Sequence, residues 1–338
     1  MEAKVWFHSG KKSTHRMKGV IKHLVDAPPP GAIYNLIAPL HGLHRHRVYS
    51  SFCSRHYASA LSIESWLRDK GEVLVLHASG RDFPYLNLLM SMPEVEAKLY
   101  IFMHVSLRYL EFRGRYRFIS RLLDMHSREI INGVLCPSRE VAKQYACLGV
   151  TSKCVRPGIP SINDTQLDGS DLIKRYRPKL ITTCISDDAK YQWVKGIDRF
   201  LELNEKIQSV RRSLVAGFYY PSKGQIVDFT RFTPNEFLSV LSRSGFYVQL
   251  SRFEAYNISA IYAKRLQVPI ILSSVEGHLD NAPSDCLADN VEDAINIINY
   301  HGDENPIYIS ERLAYLRYLS ELNESLNRFS ERLTMSVL

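Results

Sequence analysis

Apolar residues follow two different spacings that alternate along the chain. Short runs rich in β-branched and aromatic residues, such as "EVLVLHAS" (72–79) and "KLYIFMH" (98–104), predict buried strands. Segments such as "REVAKQYACLG" (139–149) place apolar residues at helical spacing instead. Strands that alternate with helices predict parallel sheets covered on both faces, so we expect an α/β protein.

The alternation is interrupted once, near the middle of the chain. "PSINDTQLDGSD" (160–171) is polar and contains proline and glycine, which predicts a linker. A chain of 338 residues is long enough for two domains of ordinary size. We therefore expect two doubly wound, Rossmann-like domains that face each other across a cleft. The expected boundaries are 1–160, a linker at 161–171, 172–310, and a C-terminal helix at 311–338 that can pack back on the first domain.

Five segments make more specific predictions. In the first half, "RMKGVIKHLV" (16–25) predicts an amphipathic helix, "AIYNLIA" (32–38) a strand, and residues 107–131 one long helical stretch. "HGLHRHR" (41–47) holds three histidines whose spacing fits no standard zinc site, so we expect a basic loop at the rim of the cleft. In the second half, "TPNEFLSVLSRS" (233–244) predicts a helix that begins with a capping box.

One carboxylate stands at a strand–helix junction of the second half. The apolar run "GFYVQL" (245–250) predicts a buried strand, and Glu254 follows it. A helix comes next, with Asn257 or Ser259 as its expected cap. Parallel sheets bind ligands at the carboxyl ends of their strands, which is where Glu254 stands. The local pattern leaves two interpretations open: Glu254 stabilises the helix through its dipole, or it binds a ligand.

Charge is distributed unevenly between the two halves. Residues 1–160 carry 23 Lys and Arg against 12 Asp and Glu, whereas residues 161–338 carry 20 against 23. The first half therefore suits an anionic surface or partner. No apolar stretch approaches the roughly 20 residues of a membrane span, and the first residues do not resemble a secretory signal. The six cysteines lack the spacing of a zinc or redox site, so we expect reduced thiols in a cytoplasmic protein.

A basic, aromatic segment lies within the first half, at residues 107–129. Its aromatic residues interleave with arginines, which is typical of a helix that binds a membrane surface or an anionic acceptor, and equally of a solvated amphipathic face. The arginines are Arg108, Arg113, Arg115, Arg117 and Arg121. No nucleic-acid-binding motif accompanies the charge, so we expect no nucleic-acid partner.

Four segments carry an ordered set of motifs between residues 95 and 300. They are "IFMH" (101–104), "GVLCPSREVAKQYACLGV…VRPGIP" (133–160), "VKGIDRFLELNEKI" (194–207) and "VDFTRFTPNEFLSVLSRSGFYVQLSRFEAYNISAIYAKRLQVPIILSS" (227–274). Together they resemble the GT-B-fold retaining glycosyltransferases that use nucleotide-sugar donors. The third resembles the "KG" segment of that family, and the last resembles its signature "E-G-F-G-L-x-x-x-E-A-x-x-x-G-x-P-V-I".

The resemblance implies a function and a set of site residues. The protein would move a sugar from a UDP- or GDP-sugar to a glycan, lipid-linked or protein acceptor, with retention of configuration and without a metal or cofactor. The donor would bind the second domain and the acceptor the first. Lys195 would neutralise the leaving diphosphate, Glu254 would bind sugar hydroxyls, and His104 would contact the donor sugar. The other implied donor-binding residues are Tyr256, Asn257, Ile258, Ser259, Tyr262, Lys190, Gly10, Ser138 and Thr230.

Tyr262 departs from the pattern of the family, because the second acid of the family, which holds the nucleotide ribose, falls at this position. A tyrosine forms hydrogen bonds but supplies no charged bidentate acceptor. Two alternatives therefore stay open: a weak or inactive GT-B protein that acts as a partner subunit, and a sugar-nucleotide epimerase of the same fold. Peripheral contact with an anionic membrane also stays open, as do the sugar, the acceptor and the oligomeric state.

Overall fold

The structure is a computed structural model, and it describes residues 20–25, 37–41, 43–50, 58–80, 84–92, 94–159, 162, 177–184, 188–207, 213–217, 227–303 and 325–338. Most of the expected linker and the first part of the expected C-terminal helix lie outside these residues.

Within the described part of the chain, two six-stranded sheets form the framework. The first sheet contains β1 Ile21–Val25, β2 His46–Ser50, β3 Val73–Ala78, β4 Lys98–Met103, β5 Gly133–Cys136 and β6 Ser152–Cys154. The second contains β7 Leu180–Cys184, β8 Ser213–Gly217, β9 Val227–Arg231, β10 Phe246–Gln249, β11 Ile270–Ser273 and β12 Leu287–Ala288. Paired strands are parallel throughout both sheets, which confirms the α/β prediction.

Helices connect the strands of each sheet. Those of the first half are α1 Ala60–Leu67, α2 Pro84–Ser91, α3 Leu107–Phe112, α4 Tyr116–Ser127 and α5 Arg139–Ala146. Those that follow β7 are α6 Ala189–Val194, α7 Ile197–Lys206, α8 Pro234–Leu241, α9 Ile258–Arg265, α10 Glu276–Asn281, α11 Val291–Asp303 and α12 Leu326–Val337.

The strand order decides where a ligand can bind. The second sheet is ordered β12-β11-β10-β7-β8-β9, so the chain leaves β7 toward one edge and crosses to the other side at β10. Counted from β7, this is the 3-2-1-4-5-6 order of doubly wound folds, whose ligand crevice opens at the switch point between strands 1 and 4. The loops after β7 and β10 therefore flank a crevice. The first sheet is ordered β2-β1-β3-β4-β5-β6.

The first sheet is covered on both faces. One face packs on an apolar cluster to which α1, α2, α3, α4 and α5 contribute buried side chains. The other face packs on α12, whose Phe329, Leu333 and Val337 are buried in one cluster with Ile21 and Phe102. The last described helix of the chain thus lies on the first sheet, next to β1 and β4.

The prediction of a helix at 16–25 is wrong where the structure describes it. Ile21–Val25 forms β1, a strand between β2 and β3 whose residues are all buried. Lys22 and His23 made the segment resemble an amphipathic helix. Both are satisfied inside the fold, Lys22 by an ion pair with Glu72 and His23 by other imidazoles. Polar residues with buried partners therefore hid a strand.

Three other predictions in the first half need correction. His46 is buried and begins β2, so the segment 41–47 is not simply a basic loop. The described end of 32–38 enters a 3-10 turn rather than a strand. The helical stretch 107–131 breaks at Gly114, whose φ of +65° ends α3 before α4 begins.

Candidate active site

Two charged side chains meet at the switch point of the second sheet. β7 and β10 are paired neighbours. Lys195 follows β7 at the end of α6, and Glu254 follows β10. The Nζ atom of Lys195 lies 2.6 Å from Oε2 of Glu254. The structure thus brings together two of the three residues that the sequence resemblance implied for catalysis.

The ion pair is shielded from solvent but remains accessible. The side chain of Lys195 is 20% exposed and that of Glu254 is 10% exposed. Burial by itself disfavours the charged ammonium, but the negative charge of Glu254 and the nearby Tyr191 outweigh it and raise the pKa of Lys195 above its ordinary value. The lysine therefore carries a positive charge at neutral pH.

The turn that carries Lys195 is pressed against the end of β10. Gly196 has a φ of +70°, and a Cβ atom there would lie 1.9 Å from the carbonyl oxygen of Leu250, so only glycine fits. Nε2 of Gln249 donates to the carbonyl oxygen of Lys195 at 2.6 Å. The glycine of the "KG" motif therefore lets the Lys195 turn reach the loop that carries Glu254.

Asn257, and not Glu254, caps α9. Oδ1 of Asn257 accepts a hydrogen bond from the backbone N–H of Ala260 at 3.0 Å. The same oxygen accepts from the hydroxyl of Tyr247 at 3.2 Å, and Nδ2 of Asn257 lies 3.1 Å from Nε2 of His278. The cap is one of the two expected residues, and the carboxylate of Glu254 is left for the ion pair.

A second carboxylate, Glu276, supports the Glu254 loop, and sequence reasoning missed it. Oε2 of Glu276 accepts from the backbone N–H of Glu254 at 3.3 Å, and Oε1 accepts from Nε2 of Gln144 at 3.3 Å. The N–H of Gly277 donates to the carbonyl oxygen of Glu254 at 2.7 Å, and a Cβ atom at Gly277 would clash with the backbone of that loop. Burial raises the pKa of Glu276. The signal was an acid and a glycine that begin the helix after β11.

The loop after β10 also lies against the first half. Gln144 of α5, which reaches Glu276, accepts at Oε1 from the N–H of Leu107 at 2.9 Å. The hydroxyl of Tyr256 donates to the carbonyl oxygen of Pro157 at 2.8 Å. These bonds connect the Glu254 loop to the segments of the first half that follow β4 and β6.

His104, the third residue implied for catalysis, follows directly after β4. Its half-buried ring stacks on Phe102 with centroids 4.7 Å apart, and its Nε2 lies 2.9 Å from Nδ1 of His77. Burial lowers the pKa of His104 to about 3, so the imidazole is neutral at pH 7. A neutral imidazole offers one donor and one acceptor nitrogen but no positive charge.

Four of the other implied residues lie on the second half. Ile258 opens α9 and packs against the apolar cluster beneath α12, and Ser259 follows it in the first turn. Tyr262 is half-buried against the core of the second sheet, and this burial raises the pKa of its hydroxyl. Nζ of Lys190 lies 4.6 Å from the ring centroid of Phe112, so Lys190 contacts the first half.

The last three implied residues have no contact with the ion pair among the described hydrogen bonds, or lie outside the described residues. Ser138 is buried, and its Oγ accepts from the N–H of Val141 at 3.3 Å, so its hydroxyl caps α5. Thr230 lies in β9, an outer strand of the second sheet that β8 separates from β7. Gly10 lies outside the described residues.

The arginine-rich segment does not present a single face. Three of its arginines, Arg108, Arg115 and Arg117, are exposed, whereas Arg113 and Arg121 are half-buried. These three exposed arginines lie in the segment between β4 and β5.

The aromatic residues of this segment have separate roles. Phe112 stacks on Phe253 and Trp193, with ring centroids 5.1 and 5.2 Å away, and so joins the two halves. Phe118 is buried in the core, and Tyr116 is 62% exposed. Among the described residues, no helix is both long and apolar enough to span a membrane.

No family model matches the sequence, and no curated protein matches it. Solved structures, in contrast, are similar to this chain in fold. The Anabaena protein Alr3699/HepE, in complex with UDP-glucose, is 12% identical with a TM-score of 0.69, over 94% of this chain and 99% of that one. An α,α-trehalose-phosphate synthase (UDP-forming) from Burkholderia vietnamiensis is 9% identical with a TM-score of 0.69, over 94% and 99%. Both are GT-B-fold proteins, so the chain has the GT-B fold, as the sequence predicted.

Proposed function

We propose that the protein is a glycosyltransferase that moves a sugar from a UDP-sugar to an acceptor with retention of the anomeric configuration. The observation that carries the proposal is the 2.6 Å contact between Lys195 and Glu254 at the switch point of the second sheet. Doubly wound sheets bind nucleotides at this point. A nucleotide sugar presents a diphosphate anion and uncharged hydroxyls. Lys195 offers a positive charge for the diphosphate, and Glu254 offers a hydrogen-bond acceptor for the hydroxyls.

Lys195 acts on the leaving group. When the bond between the sugar and the diphosphate breaks, negative charge grows on a phosphate oxygen, and a preorganised ammonium stabilises it. The raised pKa of Lys195 supports this role, because the ammonium keeps its proton throughout the step. The Asn257 cap takes only the N–H of Ala260, so the earlier N–H groups of α9 are placed to bind phosphate oxygens.

Glu254 fixes the pose of the sugar. Its carboxylate accepts hydrogen bonds from sugar hydroxyls, and the contacts of Glu276 and Gly277 with its backbone hold it in place. His104 contacts the sugar from the first half as a neutral group. A fixed pose contributes to the rate, because it holds the reacting atoms close together in the reactive orientation.

The donor and the acceptor follow from different observations. We propose UDP because the similar structures are complexes with UDP and with UDP-glucose. The acceptor is a glycan, a lipid-linked sugar or a protein, as in polysaccharide or glycoconjugate biosynthesis. The exposed Arg108, Arg115 and Arg117 favour an anionic acceptor or the anionic surface of a membrane.

A calorimetric titration with UDP, GDP, ADP and UDP-glucose tests the proposal, with mass spectrometry of the products. We expect UDP and UDP-glucose to bind the wild-type protein, and Lys195→Met to weaken both. The matched control is Lys206→Met, because Lys206 pairs with Glu202 and Glu292 on an exposed surface. The anomeric configuration of the product, measured by NMR, tests retention.

The products separate the remaining alternatives. Transfer or slow hydrolysis of UDP-glucose supports the proposal. Binding without any turnover indicates a partner subunit, and a changed nucleotide sugar indicates an epimerase. Absence of binding of every nucleoside diphosphate to the folded wild-type protein would overturn the proposal.

A further inference from the structure

Four histidines of the first sheet form a continuous hydrogen-bonded row that ends at His104. Nε2 of His104 lies 2.9 Å from Nδ1 of His77, and Nε2 of His77 lies 2.9 Å from Nδ1 of His23. Nε2 of His23 lies 2.9 Å from Nδ1 of His46, whose own Nε2 lies 2.8 Å from Oγ of Ser330. We call this set of five residues the histidine row.

The row crosses the sheet diagonally from α12 to the carboxyl end of β4. His46 stands opposite Ile21 in β1, two residues before His23, and His77 stands opposite Val25, two residues after it. Each step therefore moves one strand across and two residues along. Because side chains alternate between the faces of a strand, steps of two keep all four rings on one face. That face is the one that α12 covers.

The surroundings of the row keep its imidazoles uncharged. Burial lowers the pKa of His46 to about 4 and those of His23 and His77 well below the ordinary value. Phe102 stacks on His77, and Phe329 of α12 packs edge-on against Phe102.

The charged groups near the row do not stabilise a charged imidazole. Arg47 and His44 act on His46 and disfavour a positive charge there. Lys22 and Glu72 pair with each other, and Lys22 follows the opposite alternation to His23 along β1. Among the described residues, no group of histidines, cysteines and acids is arranged to hold a metal ion.

Neutral imidazoles in such a row cannot choose their tautomers independently. Each ring has one N–H and one bare nitrogen, and each contact needs one proton between its two atoms. Every ring, His104 included, uses Nε2 for its contact on the α12 side, and His46, His23 and His77 use Nδ1 for the contact on the other side. From α12 onward, Oγ of Ser330 contacts Nε2 of His46, and Nδ1 of each of His46, His23 and His77 contacts Nε2 of the next histidine.

Only two arrangements satisfy every contact. In one, all four histidines carry the proton on Nε2 and His46 donates to Ser330, so Nδ1 of His104 is a bare acceptor. In the other, all four carry it on Nδ1 and the hydroxyl of Ser330 donates, so Nδ1 of His104 is a donor. A mixed row leaves a buried N–H or a buried nitrogen unpaired, which costs free energy. The hydroxyl of Ser330 rotates and serves either arrangement.

We propose that the histidine row sets whether Nδ1 of His104 donates or accepts a hydrogen bond, so that Ser330, His46, His23 and His77 are positioning residues for the ligand that meets His104. Among the described residues, Nδ1 of His104 has no hydrogen-bond partner, which leaves it for that ligand. A sugar hydroxyl can meet either form, but its own proton must then point the matching way. The inference rests on the proposed function only for the identity of this ligand.

NMR of the full-length protein labelled with ¹⁵N-histidine tests the row, because the ¹⁵N shifts report which ring nitrogen carries the proton. At pH 7 we expect the four rings to be neutral and to share one tautomer. In Ser330→Ala, the row loses the hydroxyl, which can donate to Nε2 of His46, and keeps the backbone carbonyl of residue 330, which also interacts with His46 and can only accept. A proton on Nε2 of His46 is then favoured, so we expect all four rings to shift toward the Nε2–H form.

Two variants serve as controls. Ser330→Thr keeps the hydroxyl and should keep the wild-type tautomers. Thr334→Val removes a hydroxyl one turn further along α12, which bonds only to the carbonyl oxygen of Ser330 at 2.9 Å, and it should also leave the tautomers unchanged. A change at His46 alone in Ser330→Ala would overturn the proposal, as would opposite tautomers at His46 and His104 in the wild type.

Kinetics with a UDP-sugar test the positioning role. Loss of one well-directed neutral hydrogen bond corresponds to about a fivefold fall in kcat/KM for Ser330→Ala, and Thr334→Val should stay within about twofold. Shifted tautomers with unchanged kcat/KM would overturn the positioning role. If no nucleotide sugar binds at all, the proposed function fails, and the tautomers alone still decide whether the row is coupled.

Discussion

Of the three residues implied for catalysis, the two on the second half are charged, and we call them the charged wall; the one on the first half, His104, is neutral, and we call it the neutral wall. Lys195 and Glu254 form an ion pair after β7 and β10, and His104 ends a row of uncharged imidazoles after β4. Both walls use the same position, the carboxyl ends of parallel strands. Topology therefore decides where the side chains stand, and local burial and pairing decide their charge. A ligand that is anionic at one end and uncharged at the other matches this division.

The two walls also respond to pH in opposite windows. The raised pKa of Lys195 means that its ion pair contributes fully below the ordinary lysine pKa of about 10.4, and the contribution is lost as the pH rises beyond that value. The lowered pKa values of the buried histidines mean that their contribution is present above about pH 6.5 and is lost as the pH falls.

The largest expected effect is loss of stability in acid. Below about pH 6.5 the unfolded chain protonates His23, His46 and His77, whereas the folded chain keeps them neutral, so the free energy of unfolding falls by about 2 kcal/mol for each by pH 5. His278, whose pKa burial lowers to about 4, adds a change of the same sign. Urea unfolding at pH 7, 6 and 5 measures the change.

The exposed His44 provides the control for this experiment. His44→Gln should change the slope of stability against pH far less than His77→Gln, because the side chain of His44 is exposed and that of His77 is buried. Equal stability of the wild-type protein at pH 7 and pH 5 would show that the histidines are not held neutral.

The second prediction concerns a substitution that disrupts the turn carrying Lys195 but changes no charged residue. Gly196→Ala places a Cβ atom 1.9 Å from the carbonyl oxygen of Leu250 at a φ of +70°. We therefore expect the variant to lose about 3 kcal/mol or more of stability and to lose donor binding as well. Gly149→Ala is the matched control, since its φ is +79° but no atom lies within 4 Å, and it should cost only about 1 kcal/mol. Thermal melting compares them, and equal losses would contradict the account.

The third prediction separates the charge of Glu254 from its shape. Glu254→Gln keeps an acceptor but removes the charge, so we expect kcat/KM for the donor to fall about 10-fold or more and discrimination among sugars to weaken. Glu72→Gln is the control, because Glu72 pairs with Lys22 in the first half, away from the switch point. Steady-state kinetics with two UDP-sugars measures both, and similar rates for the two variants would remove Glu254 from the site.

The smallest expected effect concerns exposed arginines of the first half. Charge reversal of Arg115 and Arg117, which are exposed, should weaken salt-sensitive binding to vesicles that contain anionic lipid, by about 1 kcal/mol for each arginine. Reversal of Arg328, which pairs with Glu331 on α12, is the control. A wild-type protein that floats free of anionic vesicles at low salt excludes the membrane role.

The sequence predicted the charged wall better than the neutral one, for a physical reason. Lys195 and Glu254 lie within motifs that keep their spacing, and the capping box of α8 is confirmed, with Oε2 of Glu236 accepting from the N–H of Thr233 at 2.7 Å. These features are local in the chain. Glu276 was missed because its partner, Gln144, lies 132 residues away.

The histidine row was invisible for the same reason. His46 and His23 lie in segments whose polar residues predicted a loop and a helix, and their partners come from other strands. A histidine in a buried strand has no recognisable pattern until the strand order is known. Only His104, which ends a motif, could be selected from the sequence.

The most direct test of the central claim is the split between kcat and KM in Lys195→Ala. If Lys195 stabilises charge that grows on the leaving diphosphate, kcat should fall about 100-fold or more while donor KM changes much less. Lys206→Ala should keep wild-type rates, and thermal melting should show that both variants are folded, since Lys195 is partly exposed. A folded Lys195→Ala variant with a wild-type kcat would contradict the account, because the charged wall would then take no part in the reaction.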